Sequence, residues 1–226
     1  MLTGKRDEKI IHYADEDARI SQGVRGKTMA NTHAIHPEFT RDDVDVLSIE
    51  PLYQGFFTMA QYRFRHRLFA GGWSEPMTRE LFERGHAAAL LPYDPVTDSV
   101  VMVEQFRVGA LAAECSPWQM EIVAGIIETD EVSEEVVRRE AVEEAGVTVS
   151  ELHKITRYLS SSGGCSETLD IFVGRVDSTT AKGIHGLAEE GEDIRVHVLS
   201  REQAYQWVES GKIENAARSL HYNGCN

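Results

Sequence analysis

The sequence predicts one domain of the α/β or α+β class. Its 226 residues suffice for one core of ordinary size but not comfortably for two. Several short runs alternate apolar and polar residues between Gly and Pro, which is the pattern of β-strands. One charged run instead repeats its apolar positions at helical spacing. Because no internal repeat or low-complexity linker separates these runs, strands and helices are expected to share one core.

The first part of the chain, residues 1–40, is polar and has little periodicity. We interpret it as a loosely ordered tail or an over-long start, since a second methionine lies at Met29. Its first residues are charged throughout and lack the apolar region of a signal peptide, so a cytoplasmic location is expected. No stretch reaches the roughly 18 apolar residues of a membrane span, and no membrane partner is expected.

Strands are predicted from about Val44 onward. Residues 46–73 alternate bulky apolar and polar residues and predict a β-meander, and the N-terminal antiparallel strands are assigned to 41–75. Two apolar runs around PYDPVTDS predict a hairpin over residues 86–110. Further strands are expected near Tyr158, at DIFVGRV and at DIRVHVL, and a short helix is expected over residues 201–213.

A longer helix is expected to end at Gly146. Ser133 is a suitable N-cap, and Glu134 and Glu135 would lie in the first turn, where the helix dipole favours anions. Gly146 is suited to the left-handed conformation that commonly follows the last helical residue. The apolar stripe facing the core is then formed by Val137, Ala141 and Ala145.

Three carboxylates cluster beside that stripe. Glu140, Glu143 and Glu144 stand at i, i+3 and i+4, where like charges cost a helix a few tenths of a kcal/mol per pair. A hard divalent cation such as Mg²⁺ would compensate, because it takes oxygen ligands from a few carboxylates. For an arbitrary acidic helix, a solvated acidic face is the simpler interpretation.

The overall charge limits the class of ligand. A net charge of −14 argues against a general nucleic-acid partner, because phosphate backbones are bound by clustered Lys and Arg. A small phosphorylated ligand stays compatible with this charge if a cation bridges it to carboxylates.

The cysteine spacing predicts reduced thiols, because Cys115, Cys165 and Cys225 have no CxxC spacing.

The run from Gly125 to Val147 matches the Nudix box, G-x5-E-x7-R-E-U-x-E-E-x-G-U with U apolar, at every fixed position. Chance agreement has a probability on the order of 10⁻⁹ per start site. The chain therefore resembles the Nudix family, which hydrolyses nucleoside diphosphates linked to another moiety. The resemblance implies the α/β class, as an α/β/α sandwich around a mixed sheet, with the Nudix domain over 76–226.

The same resemblance implies a metal site for Mg²⁺, with Mn²⁺ as a possible substitute. Glu140, Glu144 and the carbonyl of Ala124 correspond to metal ligands of the family, and Glu143 to a supporting or additional ligand. Arg139 corresponds to the residue that orients the glutamates by ion pairing.

Outside the box, the chain resembles the bacterial ADP-ribose diphosphatases from about Val44 to about Ala217, in stretches such as LYQGFF, YRFRHRLF and GGCSET. These enzymes are homodimers whose N-terminal strands pair across subunits. The resemblance implies a homodimer that acts on ADP-ribose or a related ADP-sugar. The alternatives are another nucleotide substrate or a non-catalytic module that senses ADP-ribose or an RNA end.

The resemblance also implies a substrate site, in which Phe56 and Phe57 of one subunit approach the adenine bound by the other. The implied substrate-binding residues are Phe56, Phe57, Arg79, Glu80, Arg84, Arg107, Ile126, Ser161, Ser162, Gly163 and Glu167. Guanidinium groups bind diphosphate oxygens and aromatic faces stack on adenine, so these residue types fit the task. A surface ion pair is the simpler role for each arginine. Core or interface packing is the simpler role for the two phenylalanines.

The acidic loop, residues 186–194, supplies the last residues expected in the active site. By resemblance, Glu190 is the base that activates the attacking water, Glu192 is a third carboxylate ligand to the metal, and Glu189 is the next candidate for the base. A solvated turn is the simpler interpretation of such a loop. One departure is Ser162, which stands where this group typically has proline, so a preference for other ADP-sugars is left open.

Overall fold

The computed structural model describes residues 37–215. By its contacts the chain divides into Met1–Thr40 and Arg41–Asn226, and all elements named below lie in the second unit. The predicted N-terminal tail lies outside the described residues except for 37–40, and the last eleven residues, with Cys225, also lie outside them. The domain boundaries drawn from the sequence therefore stay predictions.

The first sheet has three antiparallel strands, β1 (Val44–Gln54), β2 (Thr58–His66) and β3 (Met77–Glu83). They pair in chain order, β1 with β2 and β2 with β3. The structure thus has the predicted meander for β1 and β2. The third strand, β3, was not predicted, because its sequence MTRELFE lacks strict alternation.

The second sheet has eight strands and is mixed. Its strands are β4 (His86–Asp94), β5 (Ser99–Phe106), β6 (Trp118–Glu121), β7 (Val123–Ile127), β8 (Glu151–Leu159), β9 (Thr168–Arg175), β10 (Ile184–His185) and β11 (Ile194–Ser200). The order is β10-β11-β5-β4-β9-β8, with β6 on β5 and β7 on β4. Only β4 and β9 pair in parallel among the described strands, and the other pairs are antiparallel.

Within residues 37–215, three α-helices accompany the strands: α1 (Val108–Ala112), α2 (Ser133–Ala145) and α3 (Arg201–Glu209). On β4, Ala88 and Leu90 pack in the cluster that includes the apolar stripe of α2, whereas Ala89 and Leu91 pack in the cluster that includes α3. Successive residues of a strand point to opposite faces, so a continuous apolar run buries both faces. The large sheet is therefore covered on both faces, as the α/β/α prediction requires.

The structure confirms the predicted C-terminal end of α2 but not its predicted N-cap. Gly146 adopts the left-handed conformation at φ 65° and ends the helix as predicted. The N-cap prediction was wrong, because Val132 is the N-cap and Ser133 is already helical. The Val132 carbonyl accepts from the N–H groups of Glu135 and Val136, so the helix starts without a side-chain cap.

The closing helix α3 has the side-chain cap that α2 lacks, since the Ser200 hydroxyl accepts from the N–H of Gln203 at 3.2 Å. It ends at Glu209, so the last four residues of the predicted 201–213 helix lie outside it. Of these, Ile213 is buried in the core beside α3. No helix in the described part of the chain has the length and apolar character needed to cross a membrane.

Candidate active site

The carboxylate of Glu144 is buried between helix α2 and strand β7. The residue is 3% exposed, and its Oε2 accepts a hydrogen bond from the Ala124 N–H at 3.0 Å. Burial raises the pKa of Glu144 to about 8, because a buried carboxylate loses its hydration. The Ala124 hydrogen bond and the charge of Arg107 oppose that shift, and the charges of Glu140 and Glu192 add to it.

Glu140 lies one helical turn before Glu144 and faces the same strand. Its side chain contacts Gly125, where any Cβ would overlap the Glu140 carboxylate. Burial raises the pKa of Glu140 to about 7; the charge of Arg139 opposes this shift and that of Glu143 adds to it. Gly125 is therefore the residue that lets this carboxylate lie against the backbone of β7.

Arg139 connects three of the carboxylates on and before α2. One of its terminal nitrogens donates to Glu140 Oε1 at 2.9 Å and to Glu143 Oε2 at 3.0 Å. Its Nε lies 3.5 Å from Glu131 Oε1. A single guanidinium thus offsets part of the repulsion among neighbouring acids and restricts the rotamers of Glu140 and Glu143.

The acidic loop reaches the C-terminal end of α2. The Gly186 N–H donates to the Glu143 carbonyl at 3.4 Å, and Glu192 Oε2 accepts from the Leu187 N–H at 3.0 Å. The charge of Glu192 adds to the raised pKa of both Glu140 and Glu144, so this loop brings a further negative charge towards the two glutamates of α2. Glu190 ends a short 3₁₀ turn, Ala188–Glu190, and its side chain lies outside the described part of the structure.

Arg107 carries positive charge to the same region. Its guanidinium binds Glu121 Oε2 through two nitrogens, at 2.9 and 2.8 Å, and Gln105 donates to the same oxygen at 3.3 Å. Glu121 is not among the residues predicted from the sequence. Its pairing with Arg107 depends on the contact between β5 and β6, and a glutamate in WQMEI has no distinguishing local pattern.

A second cluster of the predicted residues lies where β3 meets the loop before β9. Arg84 Nε lies 3.2 Å from Glu167 Oε1, an ion-pair distance, although its angle makes no hydrogen bond. The Arg84 guanidinium also lies 5.2 Å from the centre of the Phe57 ring, which packs edge-on against Phe82. Three of the expected substrate residues are therefore brought together within one chain.

The other predicted substrate residues are more exposed. Arg79 and Glu80 stand in β3, and the Arg79 side chain donates to the Thr78 carbonyl at 2.7 Å. Phe56 is 86% exposed at the turn after β1, with its ring centre 4.7 Å from that of Phe57. The structure also leaves four further predicted substrate residues exposed, namely Ile126, Ser161, Ser162 and Gly163.

The donor set fits a hard divalent cation. Three clustered carboxylates, two of them largely buried with raised pKa values, are the oxygen ligands that Mg²⁺ prefers, and a cation would favour their ionised form. As arranged, no group of three or more His, Cys, Asp or Glu side chains among the described residues is placed to hold an ion. Arg139 binds Glu140 and Glu143, and the Ala124 N–H binds Glu144.

Comparison with known proteins gives close relatives. The NUDIX domain family matches residues 83–220. The ADP-ribose pyrophosphatase of Escherichia coli (strain K12) is 59% identical over 179 residues, which cover 79% of this chain and 86% of that protein. The ADP-ribose pyrophosphatase of Haemophilus influenzae is 50% identical over 180 residues, 78% of this chain and 83% of that protein. A crystal structure of an ADP compounds hydrolase shares the fold, with a TM-score of 0.60 at 17% identity over 79% of this chain and 89% of that one.

Proposed function

Since this chain belongs to the Nudix family, we propose that it is an Mg²⁺-dependent enzyme that hydrolyses the diphosphate bond of ADP-ribose to AMP and ribose 5-phosphate. The observation that carries the proposal is the burial of Glu140 and Glu144 side by side against β7, with Glu192 near both. The names of the relatives at 59% and 50% identity support ADP-ribose as the substrate.

The metal would be held by Glu140, Glu144 and the carbonyl of Ala124, with Glu192 and Glu143 as further ligands. When bound, Mg²⁺ supplies positive charge that neutralises the diphosphate and stabilises the leaving phosphate. Arg139 orients Glu140 and Glu143 through its paired hydrogen bonds. Mn²⁺ prefers similar oxygen ligands and would substitute for Mg²⁺.

The proton of the attacking water goes to Glu190 in this proposal. The short 3₁₀ turn that ends at Glu190 lies two residues before Glu192, whose carboxylate approaches the glutamates of α2. We expect Glu190→Gln to lower kcat by about 10²- to 10⁴-fold, the usual contribution of a general base, and Glu189→Gln to lower it much less. Steady-state kinetics of both variants decide between the two, and a larger loss in Glu189→Gln would move the role to Glu189.

The substrate would lie between this metal site and the cluster at Arg84. Arg107 and Arg84 are both held by a glutamate, so their guanidiniums are oriented before a ligand arrives. Diphosphate and phosphate oxygens are the groups that such arginines bind. The remaining contacts proposed for ADP-ribose come from Arg79, Glu80, Ile126, Ser161, Ser162, Gly163 and Glu167.

We further propose that two copies pair through the three-stranded sheet. On β1, Val46, Ile49, Leu52 and Tyr53 are each at least half exposed, and Phe56 follows them. Exposed apolar residues grouped along one strand mark an interaction surface, and a second copy would bring Phe56 and Phe57 towards the neighbouring substrate site.

Ile49→Asp is expected to convert the dimer to a monomer and to raise KM, because a charge in an apolar interface is costly. Light scattering after size-exclusion chromatography measures the mass. The matched control is Val96→Asp, which changes an exposed apolar residue in the β4–β5 turn and should leave the mass unchanged. A wild-type protein that is monomeric at assay concentration would contradict the proposal.

Incubation of the protein with ADP-ribose and Mg²⁺, followed by chromatography for AMP, tests the function. We expect AMP and ribose 5-phosphate in equal amounts; folded protein that gives no product would overturn the proposal. Ser162 favours a second candidate, hydrolysis of other ADP-sugars, because serine removes the fixed φ of the usual proline from the loop. A substrate panel with product identification distinguishes the two.

A sensing module is the remaining alternative. Calorimetry showing tight ADP-ribose binding without turnover would favour it. The cytoplasmic location stays a prediction from the sequence.

A further inference from the structure

The loop before β9 is attached to strand β3 through the backbone. We call residues 160–166 the serine loop. The Phe82 N–H donates to the Gly164 carbonyl at 2.9 Å, and the Ser166 N–H donates to the Phe82 carbonyl at 3.3 Å. Phe82 and Cys165 form the parallel bridge between these two bonds. The serine loop is therefore a short additional edge on the three-stranded sheet.

Glu83, the last residue of β3, binds the serine loop with one carboxylate oxygen and strand β2 with the other. Oε1 accepts a hydrogen bond from the Tyr62 hydroxyl at 2.8 Å, and Oε2 accepts one from the Ser166 hydroxyl at 2.6 Å. All three side chains are partly buried. Burial and then the Glu83 hydrogen bond raise the pKa of Tyr62 to about 12.

The neighbours of Glu83 and Ser166 belong to the proposed substrate site. Arg84 follows Glu83, Glu167 follows Ser166, and these two form the ion pair described above. Ser161, Ser162 and Gly163 precede the attachment in the same loop. Movement of the loop would therefore displace several of the groups that are proposed to bind the substrate.

We infer that Glu83 is a positioning residue that fixes the serine loop against β3 and so sets the affinity for the substrate, an inference that rests on the proposed function. Glu83 acts through Ser166 and Arg84 and needs no contact with ADP-ribose. Glu140 and Glu144, which would hold the metal, stand on α2 and face β7, whereas the hydrogen bonds of Glu83 go to Tyr62 and Ser166. Loss of Glu83 should accordingly weaken binding and leave the chemical step nearly unchanged.

Steady-state kinetics of Glu83→Ala, Ser166→Ala and the double variant test the inference. Glu83→Ala removes a hydrogen bond to a charged group, which is stronger than one between neutral groups. It should raise KM about tenfold, with kcat within about twofold of wild type. Ser166→Ala should raise KM about threefold alone and add almost nothing to Glu83→Ala, because the two residues share one interaction. Glu83→Gln, which keeps the size and one acceptor, should recover part of the affinity.

Amide hydrogen exchange gives a readout that is independent of turnover. In metal-free Glu83→Ala, the amides of Phe82 and Ser166, which donate the two hydrogen bonds between β3 and the serine loop, should exchange faster than in the wild type, whereas those of β8 should not change. The matched control is Glu151→Gln, which alters an ion pair with Arg175 across β8 and β9 and should change neither KM nor exchange in the loop.

Unchanged exchange in the loop of Glu83→Ala would overturn the attachment. Faster exchange with unchanged KM would overturn its role in affinity, as would a fall in kcat equal to the fall in kcat/KM. If the wild type does not hydrolyse ADP-ribose, the proposed function fails, and the exchange experiment still decides whether Glu83 holds the loop.

Discussion

Glu144→Gln should lower kcat for ADP-ribose by about a thousandfold while leaving the fold intact. Charge stabilisation by a metal contributes several kcal/mol to catalysis, and each 1.4 kcal/mol is about tenfold in rate. The amide keeps the size of the side chain and can still accept from the Ala124 N–H, so the contact between α2 and β7 survives. The loss therefore reports on the charge of Glu144 and not on packing.

The same substitution should stabilise the metal-free protein at alkaline pH. The pKa of Glu144 rises from 4.5 to about 8 on folding, so between these values the folded state holds a proton that the unfolded state has lost. Stability therefore falls as pH rises through this range, and the amide removes that fall. We expect metal-free Glu144→Gln to melt a few degrees above the wild type at pH 8 and to match it near pH 5.

Thermal melts at pH 5 and pH 8, with and without Mg²⁺, measure this effect. Mg²⁺ should raise the melting temperature of the wild type at pH 8 and have much less effect on the variant, because a ligand that binds only the folded state stabilises it. Glu135→Gln is the matched control, since Glu135 lies exposed in the first turn of the same helix. An active Glu144→Gln enzyme, or one that unfolds at pH 5, would contradict the assignment.

Gly125→Ala is expected to have the second-largest effect, a loss of activity of about a hundredfold or more. The added Cβ would overlap the carboxylate of Glu140 and also lie 2.5 Å from its Cγ. Because a glutamate side chain is flexible, Glu140 can turn away, and the fold should survive with the carboxylate displaced from β7. Misplacement of a reacting or ligating group by about 1 Å can cost a hundredfold in rate.

Kinetics and circular dichroism of Gly125→Ala separate displacement from unfolding. The matched control is Gly109→Ala in α1, where a Cβ has nothing within 4 Å and Ala favours the helix. This control should keep both activity and stability. Wild-type activity in Gly125→Ala would mean that Glu140 does not need its position against β7 for catalysis.

Much of the fold follows from local patterns in the sequence. The strands β4, β5, β8, β9 and β11, the helix α2 with its end at Gly146 and the buried stripe Val137, Ala141 and Ala145 all lie where periodicity predicted them. Periodicity succeeds there because it reports which side of an element is apolar. It failed at the start of α2, where Val132 takes the cap position, and at β3, whose alternation is weak.

By itself the sequence determined the family motif, the α/β class and the helix that carries Glu140 and Glu144. Only the tertiary structure decided that Glu144 is bound by the Ala124 N–H, that Gly125 makes room for Glu140, that Glu121 holds Arg107 and that Glu83 binds Ser166. Glu83 and Ser166 are 83 residues apart in the chain. Spacing along one element fixes which residues share a face, whereas contacts between distant elements depend on how the sheets and loops pack.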